Sequence, residues 1–101
     1  MNQMIINGKI IEEVNDIEDN NTMILRVKNI EYFGSIPRIS TISISLSGSL
    51  KTYAESELSI GDNVLAVGRF RAYTTRQHGA IVHRSIIVAT SLTKEEFKQY
   101  E

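Results

Sequence analysis

Two arginines and a tyrosine occupy alternate positions in the segment GRFRAY. In an extended strand, alternate side chains point to the same face, so Arg69, Arg71 and Tyr73 are predicted to project side by side. A guanidinium group pairs with phosphate oxygens through two hydrogen bonds and stacks on flat rings, and aromatic side chains stack on nucleobases. The spacing therefore predicts a nucleotide contact. The alternative is that both arginines are solvated and pair with Glu55 or Glu57.

The distribution of charge along the chain indicates a local basic surface. The 101 residues carry 11 Lys and Arg against 12 Asp and Glu, a net charge of −1 that argues against coating of duplex DNA by charge alone. Acidic residues concentrate in residues 12–19 and 55–62, whereas residues 63–94 contain five cations and no acid. The nearly neutral total therefore conceals basic strands and acidic connections.

An earlier segment adds more cations and rings to the predicted surface. Arg26 and Lys28 alternate on one predicted strand, and Tyr32 and Phe33 follow at its end. Phe33 is predicted either to stack on a base or to fold onto the core. The candidate phosphate contacts are Arg26, Lys28, Arg69, Arg71 and Arg76, and the candidate stacking rings are Phe33, Tyr73 and Tyr32.

Residues that could support catalysis or bind a metal are missing. His78 and His83 fall in or beside one predicted loop without nearby carboxylates, the chain has no cysteine, and no glycine-rich loop could cradle a phosphate. We therefore predict no enzyme activity, no metal site and no cofactor. No run of 18 apolar residues occurs, and the N-terminal residues lack the pattern of a secretory signal. A cytoplasmic protein without membrane contact is predicted.

The hydrophobic periodicity predicts an all-β domain with a single internal helix. Strands are predicted over residues 4–11, 22–32, 38–47, 63–73 and 81–89, and a helix of about two turns over residues 50–58. Residues 33–37 are predicted to form a turn, and residues 74–80 a hairpin loop around Gly79. Thr93 and Glu96 form a capping-box pattern that predicts a short C-terminal helix.

The order of these elements is the layout of the OB fold. Five strands with one helix between the third and fourth form a partly open barrel whose face and loops bind oligonucleotides or oligosaccharides. We predict one OB-fold domain over residues 1–92, followed by a short C-terminal helix or tail over residues 93–101. The side chains predicted to point inward are Met23, Leu25, Val27, Ile42, Ile44, Leu46, Val64, Ala66, Gly68 and Phe70.

Apolar residues are also predicted on the outer surface. Leu65 and Val67 alternate with inward-facing residues of the fourth strand, and Ile24 does so on the second. Exposed aliphatic side chains on a small barrel indicate a subunit interface. Coverage by the C-terminal helix is the alternative.

Three segments resemble the single-stranded DNA-binding protein family, including its short primosomal and phage-type relatives. They are IINGKI at residues 5–10, ISLSGSL at residues 44–50, and LSIGDNVLAVGRFR at residues 58–71. The last segment is similar to the family's pattern of leucine, a short turn with glycine, alternating valine and then Gly-Arg-Leu-Arg. The resemblance implies binding of single-stranded DNA in replication, recombination or repair, a homodimer or homotetramer, and contacts with replication proteins.

The family's functional positions are met in part. Phe33 falls where the family places a base-stacking aromatic after strand two, and Tyr73 lies near another in the loop after strand four. Thr41 and Ser47 stand where the family has two aromatics on strand three, and the family's acidic C-terminal tip is missing. Two other functions stay open: an OB-fold protein-interaction module that has lost DNA binding, and an RNA-binding or replication-loading variant of the same barrel.

Overall fold

Five long strands and one helix form in the order that the sequence predicts. The structure is a computed structural model that describes residues 2–15 and 21–95. Its elements are β1 (Met4–Asn15), β2 (Thr22–Phe33), β3 (Ile36–Ser47), α1 (Ser49–Glu57), β4 (Asn63–Gln77) and β5 (Ala80–Glu95). The strands close into a barrel in the order β1-β2-β3-β5-β4, with β3 and β5 parallel and the other neighbours antiparallel. The predicted OB fold is confirmed.

The core lies inside the barrel, on the faces that the alternation of apolar residues predicts. Seven of the residues predicted to point inward are apolar and buried: Met23, Leu25, Val27, Ile44, Leu46, Val64 and Ala66. Ile6 and Ile10 of β1, and Ile87 and Leu92 of β5, complete the barrel interior. Because each strand contributes two or more of these side chains, the core depends on all five strands.

Helix α1 closes one end of the barrel. It buries Ala54, and Leu58 follows it with its backbone N–H donating to the carbonyl oxygen of Ala54 over 3.0 Å. The loop after the helix is fastened to β1, since Ile10 donates to the carbonyl oxygen of Asp62 over 2.9 Å and accepts from Gly61 over 2.8 Å. Since β3 ends and β4 begins at this helix, the tips of the β2–β3 and β4–β5 hairpins lie at the opposite end.

Both hairpins are longer than the sequence predicts. The turns consist only of residues 34–35 and 78–79, and pairing continues outward to Phe33 with Ile36 and to Gln77 with Ala80. His78 and Gly79 both have positive φ, 50° and 80°, as a two-residue type I′ turn requires. The predicted turn over residues 33–37 and loop over residues 74–80 are therefore in the right places but too long, because their outer residues belong to the strands. Tight turns allow the cross-strand ladders to run almost to the tips.

Gly68 is the last residue of β4 that pairs with β1. A Cβ atom on Gly68 would collide with the carbonyl oxygen of Val88, so the two backbones approach too closely for any other residue. The register of β4 and β5 also shifts here, and the extra residue Thr90 donates its hydroxyl to the carbonyl oxygen of Val67 over 3.2 Å. The prediction that Gly68 marks a close approach is confirmed.

Phe70 corrects the predicted inward set. It has the phase of the core residues on β4, but 41% of its surface is exposed. Pairing of β1 with β4 ends at Met4 and Gly68, and β3 pairs with β5 only at Ile44 and Ser45. Beyond these points no strand covers the inward face, so Phe70 lies at the open mouth of the barrel.

The predicted start of a C-terminal helix at Thr93 is also wrong. Thr93, Lys94 and Glu95 continue β5 and pair with the first three residues of β4, and the Nζ atom of Lys94 lies 3.7 Å from the carboxylate of Asp62. A ladder with β4 supplies partners for these backbone groups, and this outweighs a local capping signal. The remainder of the predicted helix, residues 96–101, lies outside the described residues.

Candidate nucleic-acid interface

The strands β2, β3, β5 and β4 present one continuous outer face. Arg26 pairs with Ser43 across β2 and β3, and Arg71 pairs with Ile86 across β4 and β5. Ser43 and Ile86 each precede the pair Ile44 and Ile87 that joins β3 to β5. Since paired residues share a face, Arg26 and Arg71 both point outward from the barrel. About three strand spacings, or roughly 14 Å along the sheet, separate them.

Most of the predicted site residues lie on this outer face. Lys28 and Tyr32 follow Arg26 in the same phase on β2, and Arg69 and Tyr73 flank Arg71 in the same phase on β4. All except the half-buried Lys28 are exposed. The structure therefore places six of the eight predicted residues on the outer side of these strands: Arg26, Lys28, Tyr32, Arg69, Arg71 and Tyr73.

The outer face carries more cations than carboxylates. In the described residues of its four strands it has five cations, Arg26, Lys28, Arg69, Arg71 and Arg84, and one carboxylate in the same phase, Glu95, which pairs with Asn63 at the closed end of the barrel. Glu12 on the neighbouring β1 lies 3.6 Å from Arg26, but both side chains are about half exposed, so water screens this pair.

The two central arginines are free of ion pairs within residues 2–15 and 21–95. Neither Arg69 nor Arg71 has a carboxylate within 4.0 Å there. Glu55 and Glu57 lie on α1, at the closed end of the barrel, so the predicted alternative of pairing with them does not occur. Both guanidinium groups are available for an anionic ligand.

A cleft of about 790 Å³ lies beside this face, under the projecting half of the β4–β5 hairpin. Arg26, Tyr73, Arg76 and Arg84 line it. Arg76 is out of phase with Arg71 and Tyr73, but its place near the tip brings it to the same cleft. Thr75 also lines the cleft, and its hydroxyl is buried without a hydrogen-bond partner among the described residues. The cleft thus offers cations and a ring.

Phe33 is the predicted site residue that lies elsewhere. Alternation places it on the other face of the β2–β3 hairpin from Tyr32, and the guanidinium carbon of Arg38 lies 4.8 Å from its ring centre. Tyr32 is 69% exposed and Phe33 56%, so the prediction that Phe33 folds onto the core is wrong. A DNA strand that touches both rings must pass around the hairpin.

Two residues of this region were missed by the sequence prediction. Arg84 pairs with Tyr73 across β4 and β5, and its side chain donates to the amide oxygen of Gln77 over 3.3 Å. Alternation of Arg84, Ile86 and Val88 opposite the arginines of β4 could have identified it. Phe70 was predicted to lie in the core. The sequence feature that could have indicated another role is a phenylalanine at the position where the family pattern has leucine.

The predicted apolar surface divides into two parts. Leu65 and Val67 lie on the outer side of β4, and the exposed Ile5 of β1 pairs with Val67. Ile24 lines the cleft beside Arg26 instead. Ile5 and Leu65 are exposed and form one aliphatic patch with the half-buried Val67, and Ile24 belongs to the basic region.

Over the described ranges, no three His, Asp or Glu side chains are grouped so that they could hold a metal ion. The helix found in that part of the chain is too short and too polar to cross a membrane.

Solved structures of single-stranded DNA-binding proteins share this fold. A Plasmodium falciparum SSB in complex with ssDNA is similar over 95% of this chain and 96% of its own, with a TM-score of 0.83 and 10% identity. A small single-stranded DNA-binding protein from Mycoplasma pneumoniae is similar over 99% of both chains, with a TM-score of 0.73 and 12% identity.

A small single-stranded DNA-binding protein from Streptomyces coelicolor covers 92% of this chain and 93% of its own, with a TM-score of 0.67 and 18% identity. No protein-family model matches the sequence. No curated protein matches it either. The likeness to these structures is therefore one of fold, at full length and low identity.

Proposed function

We propose that this protein binds single-stranded DNA without strong sequence preference, in replication, recombination or repair. The observation that carries the proposal is the outer face, which presents five cations and two exposed tyrosines, while the one carboxylate in the same phase of its described strands, Glu95, lies at the closed end of the barrel. Three proteins that share its fold over nearly their full lengths are described as single-stranded DNA-binding proteins, one of them in complex with ssDNA.

The chemistry of the face fits an unpaired strand. Arg26 would bind phosphates from β2, and Arg69 and Arg71 would bind them from β4, while Tyr73 and Tyr32 would stack bases at the two hairpins. Phosphates and the flat faces of bases are common to every sequence, so such contacts bind without reading sequence. Stacking contributes about 1–3 kcal/mol per base, so two rings with several ion pairs support measurable affinity at low salt.

Fluorescence anisotropy of a labelled oligothymidine, titrated at several salt concentrations, tests the proposal. The logarithm of affinity should fall linearly with the logarithm of salt, by about 0.7 for each phosphate that is neutralised on a single strand. Arg69→Ala and Arg71→Ala should each reduce this slope by about 0.7. Lys51→Ala removes a cation from α1, at the closed end of the barrel, and should leave the slope unchanged.

The other functions predict different outcomes. A protein-interaction module would not bind oligothymidine even at low salt. An RNA-binding variant would bind oligouridine more tightly than oligothymidine in competition. Binding of oligothymidine with a salt slope that neither arginine substitution changes would show that DNA contacts a different surface.

Three finer statements stay predictions from the sequence. They are a cytoplasmic location, contacts with replication proteins, and assembly into a homodimer or homotetramer. The aliphatic patch of Ile5, Leu65 and Val67 supports the last of these, because apolar side chains gathered on one face of a sheet favour burial against another surface.

A further inference from the structure

An apolar groove opens at the mouth of the barrel, between the two projecting hairpins. It encloses about 210 Å³, and its lining includes Phe70, Met4, Thr41 and Ile86. Phe70 and Met4 are both about 40% exposed, so the groove presents a ring and an aliphatic wall to solvent. This mouth groove lies where the inner side of β4, which carries Phe70, meets the outer-face residues Ser43 and Ile86.

Phe70 is held in place through its backbone. The side-chain amide of Asn2 donates to the carbonyl oxygen of Phe70 over 2.7 Å and accepts from its N–H over 3.3 Å. These two bonds continue the ladder of β1 and β4 by one step beyond Met4. The ring is therefore positioned at the rim without being covered.

The side of the mouth groove opposite Phe70 carries small side chains. Thr41 and Ser43 line that wall from β3, and Ser85 lines it from β5. Hydroxyl groups can donate to or accept from the edge of a nucleobase. The wall has no ring of its own, so Phe70 supplies the aromatic surface of the groove.

Cations flank the mouth groove on two sides. It shares Ser43, Ser85 and Ile86 with the cleft that contains Arg26 and Arg84, so the two adjoin where β3 and β5 separate. On its other side, Phe70 also lines a pocket with Arg69 and Arg71. No carboxylate of the described chain lines the mouth groove, the cleft or this pocket.

We infer that the mouth groove is a binding site for an unpaired nucleobase, with Phe70 as the stacking ring and the flanking arginines on the neighbouring phosphates. This inference rests on the proposed function and adds a binding residue to it. Cations lie on both sides of a groove that holds a ring and hydroxyl groups. This order matches a base between two phosphates along a DNA strand. An apolar peptide would leave the flanking arginines unpaired, so charge complementarity favours the nucleotide.

Three substitutions of Phe70 test the inference with labelled oligothymidine. Phe70→Leu keeps an apolar side chain but removes the ring, and we expect affinity to fall about 5- to 140-fold, the range that one stacked base accounts for. The salt slope should not change, because the arginines remain. Phe70→Tyr keeps the ring, so its affinity should stay within about threefold of that of the unsubstituted protein, by the same stacking argument.

Phe70→Trp supplies an independent measurement, because the chain contains no other tryptophan. Stacking of a base on the introduced indole should quench its fluorescence in step with the rise in anisotropy. Ile60→Trp is the control: it places an exposed indole before the start of β4, whereas Phe70 lies seven residues into that strand. Its fluorescence should not respond to DNA.

The outcomes separate this inference from the proposed function. No binding of oligothymidine by the unsubstituted protein at low salt overturns both. Binding that Phe70→Leu leaves unchanged, or binding without quenching in Phe70→Trp, overturns the nucleobase site alone. A change of indole emission with protein concentration in the absence of DNA also overturns it, because a second copy would then cover the groove. If Phe70→Leu does not fold, quenching by DNA in the folded Phe70→Trp protein still tests the nucleobase site.

Discussion

The barrel and the two hairpins that project from it are built from the same strands but differ in burial. On β3, Ile44 is fully buried, whereas Ile36, eight residues earlier in the same phase, is 69% exposed. On β2, Leu25 is fully buried, whereas Phe33, in the same phase, is 56% exposed. Apolar residues thus recur along both halves of each strand. Alternation determines which face a side chain occupies, but the neighbouring strands determine whether that face is buried.

The difference arises where the strands lose their neighbours. The β1 strand stops pairing with β4 at Gly68, and β3 pairs with β5 only at Ile44 and Ser45. Beyond these points each hairpin is a two-stranded ribbon without a core beneath it. Exposed apolar and aromatic side chains on such a ribbon are available for a ligand, whereas those in the barrel stabilise the fold.

The largest expected effect comes from truncating a barrel residue. Leu25→Ala removes a fully buried side chain and should lower the free energy of unfolding by about 2–5 kcal/mol. Ile36→Ala removes a branched aliphatic side chain from the inward phase of the β2–β3 hairpin and should change it by no more than about 0.5 kcal/mol. Urea unfolding followed by circular dichroism measures both. Equal losses for the two variants would contradict the division into a core and a coreless ribbon.

The fold could be predicted because its signals are repeated on every strand. Met23, Leu25 and Val27 alternate with polar or exposed residues, and such alternation identifies a barrel-facing side without knowledge of the partner strand. The ends of the elements could not be predicted in the same way. Thr93 carries a local helix-start signal, but its pairing with Leu65 depends on a strand almost thirty residues earlier in the sequence.

The candidate site was predicted in part for the same reason. Arg69, Arg71 and Tyr73 share a face because of their spacing alone. Arg26 joins them only through the pairs that link β2 to β3 and β5 to β4, which no local pattern reveals. Phe70 has the phase of a core residue, and its exposure follows from where β1 ends. Local sequence patterns therefore do not reveal the long-range strand pairing that determines the rest of the site.

Shortening the β4–β5 hairpin should separate binding from folding. Arg71 and Ile86 are paired, so Asn-Gly in place of residues 72–85 would close a two-residue turn in register. No residue of the buried core is removed, and we expect the free energy of unfolding to change by less than about 1 kcal/mol, because loop length contributes little. Loss of Tyr73, Arg76 and Arg84 should weaken oligothymidine binding more than about tenfold and lower the salt slope by about 1.4.

A smaller cut provides the matched control for this experiment. Thr75 pairs with Val82, so Asn-Gly in place of residues 76–81 removes Arg76 but keeps Tyr73 and Arg84. Its salt slope should fall by only about 0.7. If the longer cut binds as tightly as the unsubstituted protein, the cleft takes no part in binding. If the longer cut unfolds in far less urea, the hairpin belongs to the folding unit.

The smallest expected effect concerns the contact between Arg38 and Phe33 on the β2–β3 hairpin. A double-mutant cycle with Arg38→Met and Phe33→Leu, measured by urea unfolding, should give a coupling of about 0.5–1 kcal/mol, since both side chains are exposed to water. A cycle of Arg38→Met with Tyr32→Leu is the control and should give none, because Tyr32 faces the other way. A stacked base contributes about 1–3 kcal/mol, which is at least as much as the coupling expected between Arg38 and Phe33. A base of the DNA could therefore displace Arg38 from the Phe33 ring. A coupling above about 2 kcal/mol would instead mean that Arg38 occupies the ring, and Phe33 would no longer be a candidate for base stacking.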